Sequence, residues 1–317
     1  MEWLKNFDIY VQAAIISSII AAFLVATVSI LYIFKVKMPK DRMKYIYAFS
    51  SGFLIVTAIV GQWVSARHEL TEHWVDLNKG VANLDGDPNL SQTVTSISIL
   101  IGGAILGSFM AYAMKLKVAH SHDHNKQDHA DHTHQFQHIH GHPEIISTQA
   151  EIIHEAKVHK EKSTVIYMIL THRIPAGLII GLLLVHFNHG GEYSLASLIV
   201  FILHVIPEMV IVYYARIEAG YSRKSSLIFS IFAKLILIPF IFLGVVMSNY
   251  IDQDSAGTFW VIPLLLGITG IIMVWAAIFE LAPTFIHIKN SKETYKVIFT
   301  FLLGLSLSMA IQLIHSH

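Results

Sequence analysis

The chain has 317 residues, of which 54% are hydrophobic and 14% are charged, and its formal net charge is zero. A soluble domain would carry about 25% charged residues, so the composition excludes an ordinary soluble protein. The chain contains no cysteine, which excludes disulfides and thiolate metal sites. The neutral charge balance, without a basic surface in the sequence, also argues against a nucleic-acid partner.

The hydrophobic residues form blocks of about 20, the length that an α-helix needs to cross a bilayer. The pattern predicts an all-α, polytopic membrane protein with eight transmembrane helices. The first block exceeds the apolar region of a signal peptide, so we expect it to remain in the protein. The predicted helices cover residues 9–34, 45–66, 94–114, 163–187, 193–215, 225–248, 259–287 and 295–314.

Lysine and arginine are distributed unevenly between the two predicted sides of the membrane. Seventeen of the 22 lie in or beside the loops that join helices 1–2, 3–4, 5–6 and 7–8. Because cytoplasmic loops carry an excess of these residues, we expect both termini on the outer face of the plasma membrane. The chain then divides into helices 1–3 (1–114), a cytoplasmic loop (115–162) and helices 4–8 (163–317).

The predicted cytoplasmic loop contains a tract with nine of the chain's 20 histidines in 23 residues. Imidazole binds zinc, copper, nickel and iron, and histidine-rich tracts are a compositional signal of metal binding. The tract has almost no apolar residues to bury, so we expect it to be largely disordered. The alternative is a polar linker without a ligand. The candidate loop ligands are His120, His122, His124, His129, His132, His134, His138, His140 and His142.

Ionisable residues also occur inside the predicted helices, where they are costly and indicate function by default. Counting about 1.5 Å per residue places them in one layer of the membrane. Two consecutive helices repeat the pattern His-x-x-Pro, in "HRIP" and "HVIP". The alternative is a structural role, in which paired charges hold the helices together. The residues of this layer are His172, Arg173, His204, Glu208, Lys234 and Glu280.

With these residues in view, the sequence resembles the ZIP family of divalent-metal transporters. Members of that family have eight helices, outer termini and a His-rich cytoplasmic loop between helices 3 and 4. Their fourth helix, and in one branch the fifth, carries a motif similar to His-Asn-x-Pro-Glu-Gly. "HRIPAG" is similar to it at His172, Pro175 and Gly177. "HVIPEM" is similar at His204, Pro207 and Glu208.

Weaker similarities to the family are "AFSSGFL" in helix 2 and "FELAP" in helix 7. The resemblance implies a carrier that imports a divalent ion by alternating access, and it implies no enzymatic activity. His172, His204 and Glu208 would be the metal ligands, and imidazole with a carboxylate suits zinc. The expected partners are the lipid bilayer and divalent metal ions, with a homodimer left open.

The chain departs from the family motif at positions whose side chains would bind a second metal ion as well as the first. Arg173 and Ala176 stand where the family has Asn and Glu, and Val205 and Met209 follow the two fifth-helix ligands. A buried anion without a partner is costly. We therefore expect Arg173 to occupy the second metal position and to pair with Glu208 or Glu280, with Lys234 close by.

Two other functions remain open on the sequence. A ZIP-like protein without transport activity could sense or buffer metal or act as a partner subunit, as Arg173 and Ala176 would favour. An intramembrane zinc hydrolase needs three ligands and an open position, but the sequence offers no separate carboxylate at an obvious spacing to act as base.

Overall fold

The computed structural model describes residues 7–33, 40–67, 70, 88–130, 166–167, 169–188, 194–248, 250, 260–286 and 291–315. These ranges are helical almost throughout and contain no strand, so the all-α prediction is confirmed for them. The helices are α1 (Ile9–Ile33), α2 (Lys40–Val56), α3 (Pro88–Ala130), α4 (Arg173–Asn188), α5 (Ser194–Glu218), α6 (Arg223–Leu235), α7 (Leu237–Ser248), α8 (Val261–Trp275), α9 (Pro283–Ile286) and α10 (Ser291–His315). Two π-helical segments, Thr57–Val64 and Ala276–Leu281, follow α2 and α8.

Within the described ranges, six helical stretches are long and apolar enough to cross a membrane, as expected of an integral membrane protein. A seventh apolar helix, Ile169–Val185, is shorter, and α5 has 25 residues. The six stretches are Ile9–Ile33, Arg42–Arg67, Thr93–Leu116, Arg223–Ser248, Val261–Ile286 and Ser291–Leu313.

The largest difference from the predicted boundaries is at the end of the third helix. We predicted an end at residue 114, but the backbone of α3 stays helical to Ala130. No glycine or proline lies between 108 and 130 to end it. The first part of the predicted loop is therefore helical backbone, and its remaining residues, 131–162, lie outside the described ranges.

Proline interrupts two of the helical stretches and leaves a third continuous. The helix breaks at His172, three residues before Pro175, and at Ile236, three residues before Pro239. Proline has no N–H to bond the carbonyl four residues earlier, and its ring crowds that carbonyl. In contrast, α5 continues through Pro207, so a helix break accompanies the first His-x-x-Pro motif and not the second.

Close helix pairs depend on glycine. The pairs α2–α10, α3–α8 and α4–α7 make the most extensive contacts. A Cβ at Gly52 of α2 would lie 2.3 Å from the carbonyl oxygen of Phe301, and one at Gly181 of α4 would lie 2.2 Å from that of Ile241. Only residues without a side chain allow backbones to approach so closely, as at other membrane helix interfaces.

The helical stretches differ in how much protein surrounds them. In the apolar parts of Arg42–Arg67 and Val261–Ile286, 61% of residues are buried, against 22% in Thr93–Leu116 and Ser291–Leu313. The first two are therefore central, while the last two expose rows of large apolar side chains, as lipid-facing helices do. His172, Arg173, Glu208 and Lys234 are buried within this arrangement.

Candidate metal centre

Four ionisable side chains from three helices meet in the protein interior. His172 and Arg173 come from the start of α4, Glu208 from the middle of α5 and Lys234 from the end of α6. Their exposed fractions are 2%, 1%, 0% and 1%, respectively. These four residues are called the buried ionic cluster below.

Glu208 is the centre of the cluster. Its Oε1 lies 3.0 Å from Nε2 of His172, and its Oε2 lies 3.1 Å from Nζ of Lys234. The guanidinium of Arg173 forms an ion pair with the same Oε2. One carboxylate thus receives contacts from three basic side chains on two neighbouring helices.

The break in the fourth helix accounts for the position of His172. Pro175 cannot donate to the carbonyl of Thr171, and the regular pattern resumes when the N–H of Ala176 donates to the carbonyl of His172 at 3.2 Å. The hydroxyl of Thr171 donates back to the carbonyl of Tyr167 at 2.8 Å. His172 therefore sits in a turn immediately before α4, where both it and Arg173 reach Glu208.

The cluster has more cationic groups than anionic ones. Arginine stays protonated in proteins, and a buried charge is costly unless it is paired. Glu208 supplies the anion for both Arg173 and Lys234. The carboxylate that the family motif would add at Ala176 is absent, and Ala176 is fully buried one turn after His172. The predicted pairing of Arg173 with Glu208 or Glu280 is found at Glu208.

Two of the three predicted metal ligands are therefore in contact. An imidazole nitrogen and a carboxylate oxygen are ligands that zinc prefers, and those of His172 and Glu208 are 3.0 Å apart. His204 lies one turn before Glu208 on α5, but its side chain is outside the described part of the chain. Among the described residues, no three His, Asp or Glu side chains form a group that could hold a metal ion.

Glu280 forms its ion pair elsewhere. It lies in the π-helical segment after α8, where its Oε1 is 3.1 Å from Nζ of Lys115 on α3. The side chain of Lys115 is 45% exposed and that of Glu280 is 8% exposed. The sequence interpretation missed this pair because it assigned Lys115 to the loop after the third helix.

The histidine tract adds no side-chain geometry to the centre. His120, His122, His124 and His129 lie on the helical backbone of α3, and their side chains are outside the described residues. The other loop candidates lie in 131–165, also outside them: His132, His134, His138, His140 and His142.

The structure also gives the glycine of the fourth-helix motif a role that sequence reasoning did not assign. A Cβ at Gly177 would lie 2.6 Å from Cβ of Phe240 and 2.8 Å from the carbonyl oxygen of Leu237. Gly177 therefore allows α4 to pack closely on α7, one turn beyond Arg173. A small residue four positions before Gly181 was the available signal.

Comparison with known proteins finds no family model that matches the chain and no curated protein that matches it. The ZIP resemblance consequently rests on the motifs and the predicted topology of the sequence.

Proposed function

We propose that the chain is a ZIP-type carrier that imports a divalent metal ion, zinc by preference, into the cytoplasm. The observation that carries this proposal is the contact between His172 and Glu208, two ligand-type side chains from consecutive helices, deep within a membrane protein. The histidine tract on the same chain supports metal handling independently. We assign the protein to the plasma membrane as a carrier and not as an enzyme.

The proposal includes eight membrane crossings, with both termini outside and the histidine tract in the cytoplasm. Two contacts support the alternation of these crossings. Lys44 at the start of α2 forms an ion pair with Glu293 at the start of α10, and the hydroxyl of Tyr47 donates to Glu218 at the end of α5 at 2.6 Å. The start of α2, the end of α5 and the start of α10 therefore lie at the same end of the helices, as alternating crossings would require.

The fourth and fifth helices are not among the six stretches of the described ranges that are long and apolar enough to cross a membrane. Their crossings therefore need support from other observations. The helix α5 has 25 residues, which corresponds to about 37 Å, more than the ~30 Å of a hydrocarbon core. The helix α4 packs along α7, which belongs to the apolar stretch Arg223–Ser248. The length of α5 and the packing of α4 against a membrane-length stretch support these two crossings.

Transport would require the incoming ion to compete for Glu208. In the arrangement seen, Arg173 and Lys234 both hold this carboxylate, so a divalent cation must take the place of at least one of them. The proline-associated break at His172 gives the fourth helix a point at which it can bend, and the glycine contacts couple α4 to α7. We propose that α4 and α7 move together when the site changes access from the outer to the inner face.

The arrangement of Arg173 and Lys234 also favours a second candidate, a ZIP-like protein that binds metal without transporting it. Two cations on the only carboxylate of the cluster repel a third cation. In this candidate the histidine tract would sense or buffer metal, and the membrane helices would serve as its anchor or as a partner subunit.

Uptake of radioactive zinc by the purified full-length protein in liposomes distinguishes the two candidates. The carrier predicts saturable uptake above that of empty liposomes, reduced at least about tenfold in His172→Gln, since ligand loss typically costs 10-fold or more. Lys296→Gln, an exposed change at the start of α10, is the control and should leave uptake unchanged. Zinc binding without uptake in the natural chain would favour the second candidate.

A further inference from the structure

A groove of about 510 Å³ lies where α5 ends and α6 begins. The groove shares no residue with the buried ionic cluster, and none of the described residues that line it is acidic. It combines two cations, two hydroxyls and an apolar wall. This basic groove is lined by Arg216, Ser222, Lys224, Ser225, Ile228, Phe229 and Phe232.

Arg216 is held in place by its neighbours. Its guanidinium carbon lies 3.8 Å from the ring centroid of Tyr221 and 4.0 Å from that of Phe229. One terminal nitrogen of Arg216 donates to Oγ of Ser225 at 3.4 Å. The buried Nε of Arg216 has no hydrogen-bond acceptor among the described residues. Two aromatic contacts therefore fix a planar group whose N–H pattern matches the oxygens of a phosphate.

The start of α6 adds positive potential to the same groove. Ser222 caps this 13-residue helix by accepting a hydrogen bond from the N–H of Ser225 at 3.2 Å, and the first turn contains no acidic residue. Unpaired N–H groups at a helix start carry partial positive charge and favour anions. Lys224, in the first turn and exposed, contributes a full charge.

The groove lies at the start of an apolar, membrane-length stretch and continues along its exposed apolar side chains. The apolar stretch Arg223–Ser248 begins at its polar end. Along that stretch Ile228 is 44% exposed and Phe232 is 67% exposed. Tyr221, 39% exposed, is an aromatic residue of the kind found at membrane interfaces.

We propose that the basic groove binds the phosphate of an anionic phospholipid. Arg216, Lys224 and the start of α6 contact the headgroup, and the acyl chains lie along Ile228 and Phe232. The apolar wall favours a lipid over free phosphate, because inorganic phosphate would leave that wall unused. The groove is on the predicted cytoplasmic face, where anionic lipids attract basic residues beside membrane helices.

Lipid binding to the full-length protein in detergent tests the proposal. Retention of phosphatidylglycerol is measured by native mass spectrometry, and the melting temperature is followed as lipid is added. Phosphatidylcholine with the same acyl chains and inorganic phosphate are the comparison ligands. A ligand of the folded state raises the melting temperature with concentration, so phosphatidylglycerol should do so and the other two should not.

Three variants localise the effect. Lys224→Gln changes an exposed side chain and should weaken phosphatidylglycerol binding about tenfold, because it removes one hydrogen bond to a charged group. Arg216→Lys should also weaken it, because the charge remains but the planar N–H pattern is lost. Lys296→Gln removes an equal exposed charge at the same predicted face, outside the groove, and should bind like the natural chain.

Two results would overturn the proposal. Equal loss of binding in Lys224→Gln and Lys296→Gln would show that surface charge in general attracts the lipid, with no site at the groove. Stabilisation by millimolar inorganic phosphate equal to that by phosphatidylglycerol would show that the groove takes free phosphate and that the lipid assignment is wrong.

Discussion

The buried ionic cluster and the Lys115–Glu280 pair use the same chemistry in different surroundings. Glu208 and its basic partners are at most 2% exposed, whereas the side chain of Lys115 is 45% exposed. An exposed lysine can keep water around its ammonium if its partner is removed, but Arg173 and Lys234 cannot. The comparison indicates that the cluster supports the packing of α4, α5 and α6 against one another, while the outer pair contributes mainly local contact between α3 and the segment after α8.

The two regions should differ most in how much the loss of their carboxylate lowers the free energy of unfolding. Glu208→Gln leaves Arg173 and Lys234 buried without an anion, and breaking such a buried pair costs about 3–5 kcal/mol. Glu280→Gln, the matched control, should cost about 1 kcal/mol or less, because its partner is partly exposed. Denaturant or thermal unfolding of both variants in the same detergent measures the difference. Equal losses would mean that burial does not separate the two regions.

A double change at the cluster should have the next largest effect. Arg173→Asn with Ala176→Glu removes a fixed cation and adds a carboxylate one turn from His172, so zinc affinity should rise, by about a hundredfold if each change contributes about 1.4 kcal/mol. Calorimetry with zinc compares this form with the natural chain. If the double variant binds no more zinc and no more tightly, Arg173 does not stand in for a second metal and has a structural or gating role.

Removing the competing lysine alone should have a smaller effect on affinity. Lys234→Met keeps the volume of the side chain and leaves Glu208 paired with Arg173, so the protein should fold and bind zinc about tenfold more tightly. Lys115→Met removes the corresponding cation of the outer pair and should leave zinc affinity unchanged. The same titration tests both variants, and an equal change in both would contradict a specific role for Lys234.

Deletion of the histidine tract should have the smallest effect on zinc affinity at the buried ionic cluster. Deleting residues 119–142 removes the candidate loop ligands and very few apolar side chains that a core would need. The deletion should abolish the weak, multiple binding of zinc while it changes affinity at the cluster less than about twofold, within the usual independence of distant sites. Loss of folding on deletion would show that the tract has a structural role.

Periodicity and length were enough to predict most of the described helices and the proximity of two candidate metal ligands. His172 and Glu208 lie on consecutive apolar segments with short connections, so helix geometry alone brings them near each other. The partner of Glu280 could not be predicted, because no apolar pattern marks where α3 ends. Lys234 was expected close to Arg173, but which of the two carboxylates they would share could not be predicted, since that depends on how the helices rotate about their axes.

The most direct test of the account is the coordination of zinc bound to the chain that lacks residues 119–142, measured by X-ray absorption at one zinc per protein. We expect a first shell with imidazole nitrogens and a carboxylate oxygen at about 2.0–2.2 Å. One nitrogen should be lost in His172→Gln, and the carboxylate in Glu208→Gln. A shell of water oxygens alone, or a shell that His172→Gln leaves unchanged, would contradict the assignment of the buried ionic cluster as the metal centre.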